Sequence, residues 1–106
     1  MEGSIPERDW KKFRSIKDKL LDTACDRILA KTKTLIEKGN GHKTYLQLWD
    51  MIQKEDKKIS EMFDDPRRSN ALYKIAALDR EDLIDEETLK EFSEETREKL
   101  RIINQM

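Results

Sequence analysis

Residues 9–36, DWKKFRSIKDKLLDTACDRILAKTKTLI, decide how the chain is read. Trp10, Phe13, Ile16, Leu20, Leu21, Ala24, Ile28, Leu35 and Ile36 recur at steps of three and four. That spacing puts them along one side of a helix of about nine turns. Upstream, Ser4 stands before Pro6 with Glu7 three residues on, a capping-box spacing that sets the helix start near Ser4. Downstream, Gly39 and Gly41 end it, with Lys38 suited to the negative helix terminus. A helix of about 32 residues would be roughly 48 Å long. The threonines of AKTKTL are its weak point, where a kink or an early end near Lys31 is admissible.

The same signals punctuate the rest of the chain. TYLQ at Thr44–Gln47 has capping-box spacing and opens a second helix, whose expected buried stripe is Tyr45, Leu48, Trp49, Ile52, Ile59, Met62 and Phe63. The short connection between the two favours an antiparallel pair. In the stretch MFDDPRRSN, Met62–Asn70, Asp65 before Pro66 reads as N-cap and first helical position of a third helix. Its apolar face is Leu72, Ile75, Ala76 and Leu78. Asp85 and Ser93 read as caps of two further short segments, with acids in their first turns. The last helix should run to about Ile103. The expected fold is all-α, in one domain over residues 1–106: a long antiparallel helical hairpin with two or three shorter helices packed on it.

Composition narrows the function. The 106 residues are 36% hydrophobic and 42% charged, with a formal net charge of -1. Periodic apolar positions argue for helices with solvated faces rather than disorder. Residues 1–43 carry a net +4 and residues 44–106 a net −5, so the halves attract each other. This is not the profile of a strongly basic nucleic-acid binder. The single cysteine, Cys25, cannot form an internal disulfide, and a reducing cytoplasmic setting is the simple expectation. MEGSIPERDW lacks the apolar stretch of a signal peptide, and no run approaches the roughly 18 apolar residues of a membrane span.

Chemistry is hard to find. His42, the only histidine, sits in a Gly-Asn-Gly turn, some 25 Å from Cys25 if the first helix is continuous, too far for a nucleophile pair. Zinc and di-iron sites need more Cys, His or Glu-x-x-His ligands than are present. The acidic run DREDLIDEE lacks the order and the turn glycine of a calcium loop. GNG lacks the preceding strand of a phosphate-binding motif. No catalytic residue, cofactor or metal is therefore expected. Arg67 and Arg68 at a helix start could grip a phosphate, but Asp64 and Asp65 already occupy that end and are the simpler partners.

The segments IPERDWKKFRSIKDKLLDTACDRIL, FDDPRRSNALYKIA and DLIDEETLKEFSEETRE together resemble small, all-helical bacterial hypothetical proteins over most of the chain. The resemblance implies a bacterial origin and brings no functional residue with it.

Two functions from different classes remain. One is a non-enzymatic helical interaction module that self-associates as a homodimer, with room for an unidentified protein partner. It rests on the first helix outreaching the second, so that its surplus stripe needs cover from later helices or from another copy. Trp10, Phe13, Trp49 and Phe63 would be the anchors, with Arg67 and Arg68 at the rim. The alternative is a nucleic-acid-associated regulator in which Lys11, Lys12, Arg14 and Lys17 contact backbone phosphates. The acids interleaved with these bases, Glu7, Asp9 and Asp18, count against it and against a membrane-surface helix.

Overall fold

The computed structural model describes residues 4–106. Residues 1–3, which open the stretch examined for a signal peptide, lie outside the described residues. The chain is all-helical, with five helices and no strand among the described residues: α1 Glu7–Lys38, α2 Gly41–Phe63, α3 Ala71–Arg80, α4 Glu86–Leu89 and α5 Glu94–Asn104.

α1 runs through AKTKTL without a break, and the Thr32 hydroxyl donates to the Ile28 carbonyl at 2.9 Å within it. Its 32 residues, about 48 Å, account for most of the 51 Å long axis of the molecule. The start differs from expectation. Ser4 caps nothing; the chain stays extended through Pro6 (φ -55, ψ 150), whose carbonyl accepts from the N–H groups of Asp9 and Trp10. The extended entry turns Ile5 into the core, where it is buried.

Two other boundaries move for identifiable reasons. α2 begins at Gly41, not Thr44. Gly41 takes φ +70, a value that suits glycine. Thr44 packs its side chain against Gly39 and gives no side-chain cap. α3 begins at Ala71, not Pro66. Asp65 adopts φ 48, so the chain leaves the helical path just before the proline. Asn70 then stitches the loop: its Oδ1 accepts from the Arg67 N–H at 2.8 Å and its Nδ2 donates to the Asp65 carbonyl at 3.0 Å. The stretch DDPRRS is thus a loop between helices, not the first turn of one.

The caps of α4 and α5 fall where expected. Asp85 accepts from the Thr88 N–H at 2.7 Å, and Ser93 Oγ accepts from the Thr96 N–H at 3.3 Å. The Thr88 hydroxyl, then its N–H, then the charge of Lys19 hold the Asp85 carboxyl below its ordinary value against the cost of desolvation.

α3 and α5 pack together, and α3 bridges to α1 and α2. The core gathers at this end of the molecule. Phe13 and Ala24 from α1 and Met62 from α2 meet Leu72, Ile75, Ala76 and Leu78 of α3, Phe92, and Leu100 of α5. Each fully buried side chain of this size contributes about 1.5–3 kcal/mol. Asp9 is buried with them: Ser93 N–H (2.9 Å), Ser93 Oγ (2.5 Å) and Thr96 Oγ1 (2.5 Å) all donate to its carboxylate. Farther along, α1 and α2 lie beside each other, with Glu81 and Leu83, just past α3, against one side. Residues 24–31 lie beside residues 55–62, and Lys31 pairs with Glu55 at 3.2 Å.

Candidate interaction surface

The two long helices have one covered side and one bare side. On the covered side Arg27 donates to the carbonyls of Glu81 (2.9 Å) and Asp82 (2.7 Å), where α3 ends, and Lys58 pairs with Glu81 at 3.4 Å. The bare side carries Cys25, Leu29, Thr32 and Ile36 of α1 and Tyr45, Trp49, Ile52 and Asp56 of α2. Both sets advance by four, three and four residues, so each forms a straight row on its helix.

Cys25, Leu29 and Thr32 line a groove against Ile52, Asp56 and Ile59, and Ile52 continues it to Tyr45, Leu48 and Trp49. These are not buried side chains. Leu29 is 64% exposed, Ile36 56%, Tyr45 62%, Trp49 56% and Ile52 45%, with Leu46 at the margin. Aromatic side chains present about 150–250 Å² each, so the large apolar groups here leave on the order of 600 Å² in water. A patch of that order is at the upper end of what the surface of a monomer exposes.

The residues proposed as anchors do not converge. Trp49 lies in the bare face. Phe13 has no exposed area and belongs to the core, which corrects its reading as a contact residue. Trp10 is half-buried beside Phe13, ring centroids 5.9 Å apart, with the Arg14 guanidinium 5.4 Å above its ring. Phe63 is half-buried against the core. Arg67 pairs with Asp65 at 2.8 Å, and Arg68 Nε donates to the Ile5 carbonyl at 2.8 Å, fastening the N-terminal segment to the loop. Arg68 is exposed, with its Nε fixed by this bond.

The basic residues of α1 are also dispersed. Lys12 pairs with Glu91 at 2.5 Å and Lys17 with Asp18 at 3.1 Å. Lys11 and Arg14 share a helix side with Glu7 and Asp18, at steps of four, three and four. His42 stacks on Tyr45 at the far end of the molecule, with Cys25 exposed farther back along the groove. Among the described residues, no group of three or more His, Cys, Asp or Glu is placed to hold a metal ion, and no helix is long and apolar enough to cross a membrane.

Ile36, Tyr45 and Ile52 were missed as surface residues because periodicity reads a stripe without saying what covers it, and Leu29 fell outside the stripe altogether. A signal was present in lengths: helices of 10, 4 and 11 residues cannot cover helices of 32 and 23 along their whole run. Comparison with protein-family profiles, curated proteins and solved structures finds no match, so no residue role is carried over from another protein.

Proposed function

We propose that this chain is a non-enzymatic helical interaction module that self-associates as a homodimer. In this reading α1 and α2 form an antiparallel hairpin, and its bare face closes against a second copy into a four-helix bundle. The observation that carries it is the pair of largely apolar rows, 25–36 and 45–56, interrupted by Thr32 and ended by Asp56, on the side opposite the covering helices. Its exposed apolar area approaches the roughly 800 Å² per partner of a stable interface. Trp49 is the central anchor, because large aromatic groups dominate interface energetics. A cytoplasmic setting keeps Cys25 on this face as a thiol.

Light scattering coupled to gel filtration tests the reading. The native chain should elute as a dimer, and Trp49→Glu should raise the dissociation constant at least thirtyfold, a hot-spot loss of about 2 kcal/mol or more. Helix content by circular dichroism should stay the same, since Trp49 lies outside the core. A native chain that is monomeric at about 100 μM would end the proposal.

A further inference from the structure

A cleft of about 360 Å³ opens between the ends of α3 and α4 and one face of α5. α5 turns Arg97, Leu100, Arg101 and Asn104 toward it, at steps of three, one and three, which is one side of a helix. Leu89 of α4 and Leu100 supply its apolar wall, and Asp79 of α3 stands at the Asn104 end. The size and the mix of apolar wall with a few polar groups are those of a small-molecule site.

Two opposite charges in this cleft lack a counter-charge. On α5, Lys99 pairs with Glu95 at 3.3 Å and Arg101 with Glu98 at 2.9 Å. Arg97 is half-buried, its Nε is enclosed without a hydrogen-bond partner, and among the described residues no carboxylate pairs with it. Asp79 is half-buried too. Its Oδ2 accepts from Asn104 Nδ2 at 3.1 Å, and among the described residues no cation pairs with its carboxylate. The adjacent Arg80 donates to Asn104 Oδ1 at 2.9 Å instead. A charge drawn out of water without an opposite charge is costly to hold.

Arg97 and Asp79 do not relieve each other, because α5 keeps them apart. Asp79 is tied to the level of Asn104, and Arg97 lies seven residues earlier, about 10 Å along the axis. Helical side chains lean toward the helix N-terminus, which carries the Arg97 guanidinium farther from Asp79. Leu100 fills the interval.

We propose that this cleft binds a small ω-amino carboxylate. The carboxylate lies on the Arg97 guanidinium, whose N–H groups match its two oxygens. The ammonium group donates to Asp79, which has Oδ1 left over from its bond to Asn104. The methylene chain covers Leu89 and Leu100. Both ends are needed: a plain fatty acid would set its tail against Asp79, and a plain amine would leave Arg97 as it is. Arg101 borders the cleft already paired with Glu98, so it adds little net charge. The proposal does not depend on the homodimer reading, since the cleft belongs to α3, α4 and α5 and the bare face to α1 and α2.

The experiment titrates the native chain with γ-aminobutyrate, δ-aminovalerate and ε-aminocaproate, with hexanoate and hexylamine as single-ended controls, and follows amide NMR shifts. At least one of the three zwitterions should bind with a dissociation constant below about 1 mM, moving the amides of Leu89, Leu100 and Asn104, and at least tenfold tighter than either control. Arg97→Gln should remove the preference over hexylamine and keep that over hexanoate. Asp79→Asn should do the reverse. An arginine with a merely structural role would not produce this exchange, and its absence in folded variants overturns the assignment of the two ends. Failure of all three zwitterions to bind at about 10 mM, tenfold above that limit, overturns the site itself, as does a control that binds as tightly as they do. That comparison needs the native chain alone, so it decides the proposal even where a variant does not fold.

Discussion

Asp9 loses all contact with solvent, and its charge is held by hydrogen-bond donors more than by a cation. The nearest basic group, Arg8 Nε, is 3.9 Å away on a side chain that is largely in water. Ser93 N–H, Ser93 Oγ and Thr96 Oγ1 instead donate to the carboxylate at the start of α5, where the helix dipole also favours negative charge. One side chain thereby ties the first turn of α1 to the first turn of α5. Asn keeps the shape but replaces the oxygen that accepts from Ser93 Oγ and Thr96 Oγ1 with a donor, so both hydroxyl protons lose their carboxylate acceptor in a dry site. We expect Asp9→Asn to lower stability by about 2–4 kcal/mol, read as a lower denaturant midpoint at unchanged slope. A loss below about 0.5 kcal/mol, the range of ordinary surface substitutions, would refute the clasp. The sequence shows half of this feature. Ser93 is readable as a cap because its partner is three residues away, whereas Asp9 reads only as one acid among bases. Its partners lie 84 and 87 positions along the chain, and no local pattern records them.

At the scale of elements, what was legible follows the same rule. Helix number, class and apolar sides could be read, because they depend on spacing within one segment. The caps at Asp85 and Ser93 were legible too. Three helix starts were not, and each moved because something outside the local motif took over: Ile5 entering the core, Thr44 packing on Gly39, Asn70 holding the Asp65–Asn70 loop. The connection between α1 and α2 shows the difference most sharply. Gly39 is extended, at φ -129, so any residue could adopt its backbone. Its requirement is space: a Cβ there would lie 2.2 Å from Thr44 Oγ1 and 2.9 Å from Thr44 Cγ2. Both branches of the threonine face it, so rotating the side chain gives little relief. Gly39→Ala should therefore destabilise the fold by about 1–3 kcal/mol, and Thr44→Ala in the same chain should recover most of that. Equal loss in the single and double variants, measured by chemical denaturation, would place the cost in backbone conformation instead.

As a whole, the molecule is 51 Å long and about 25 Å across, with a radius of gyration of 16.2 Å. A compact chain of this length would have one near 13 Å. The excess comes from one end. Near Phe13 and Leu72 two layers of helix enclose a core; beyond Ile28 and Glu55 a single layer continues, joined by Gly39–Asn40 and lined on its bare side by side chains that prefer not to meet water. In the proposed dimer a second copy covers this single layer. Stability should then depend on concentration, because association draws on the folded state only. The native chain should melt a few degrees higher for each tenfold rise in concentration, given the size of the unfolding entropy of such a domain. Trp49→Glu should melt at one temperature throughout. The two proteins should also differ by region in amide hydrogen exchange. In the variant, amides between Ile28 and Glu55 should exchange faster, since that segment has lost its cover, while those around Ile75 and Leu100 keep their protection. If the native melting temperature were independent of concentration and the distal segment were as well protected in the variant, the pair of helices would be stable without a partner. The bare face would then have no part in holding the molecule together.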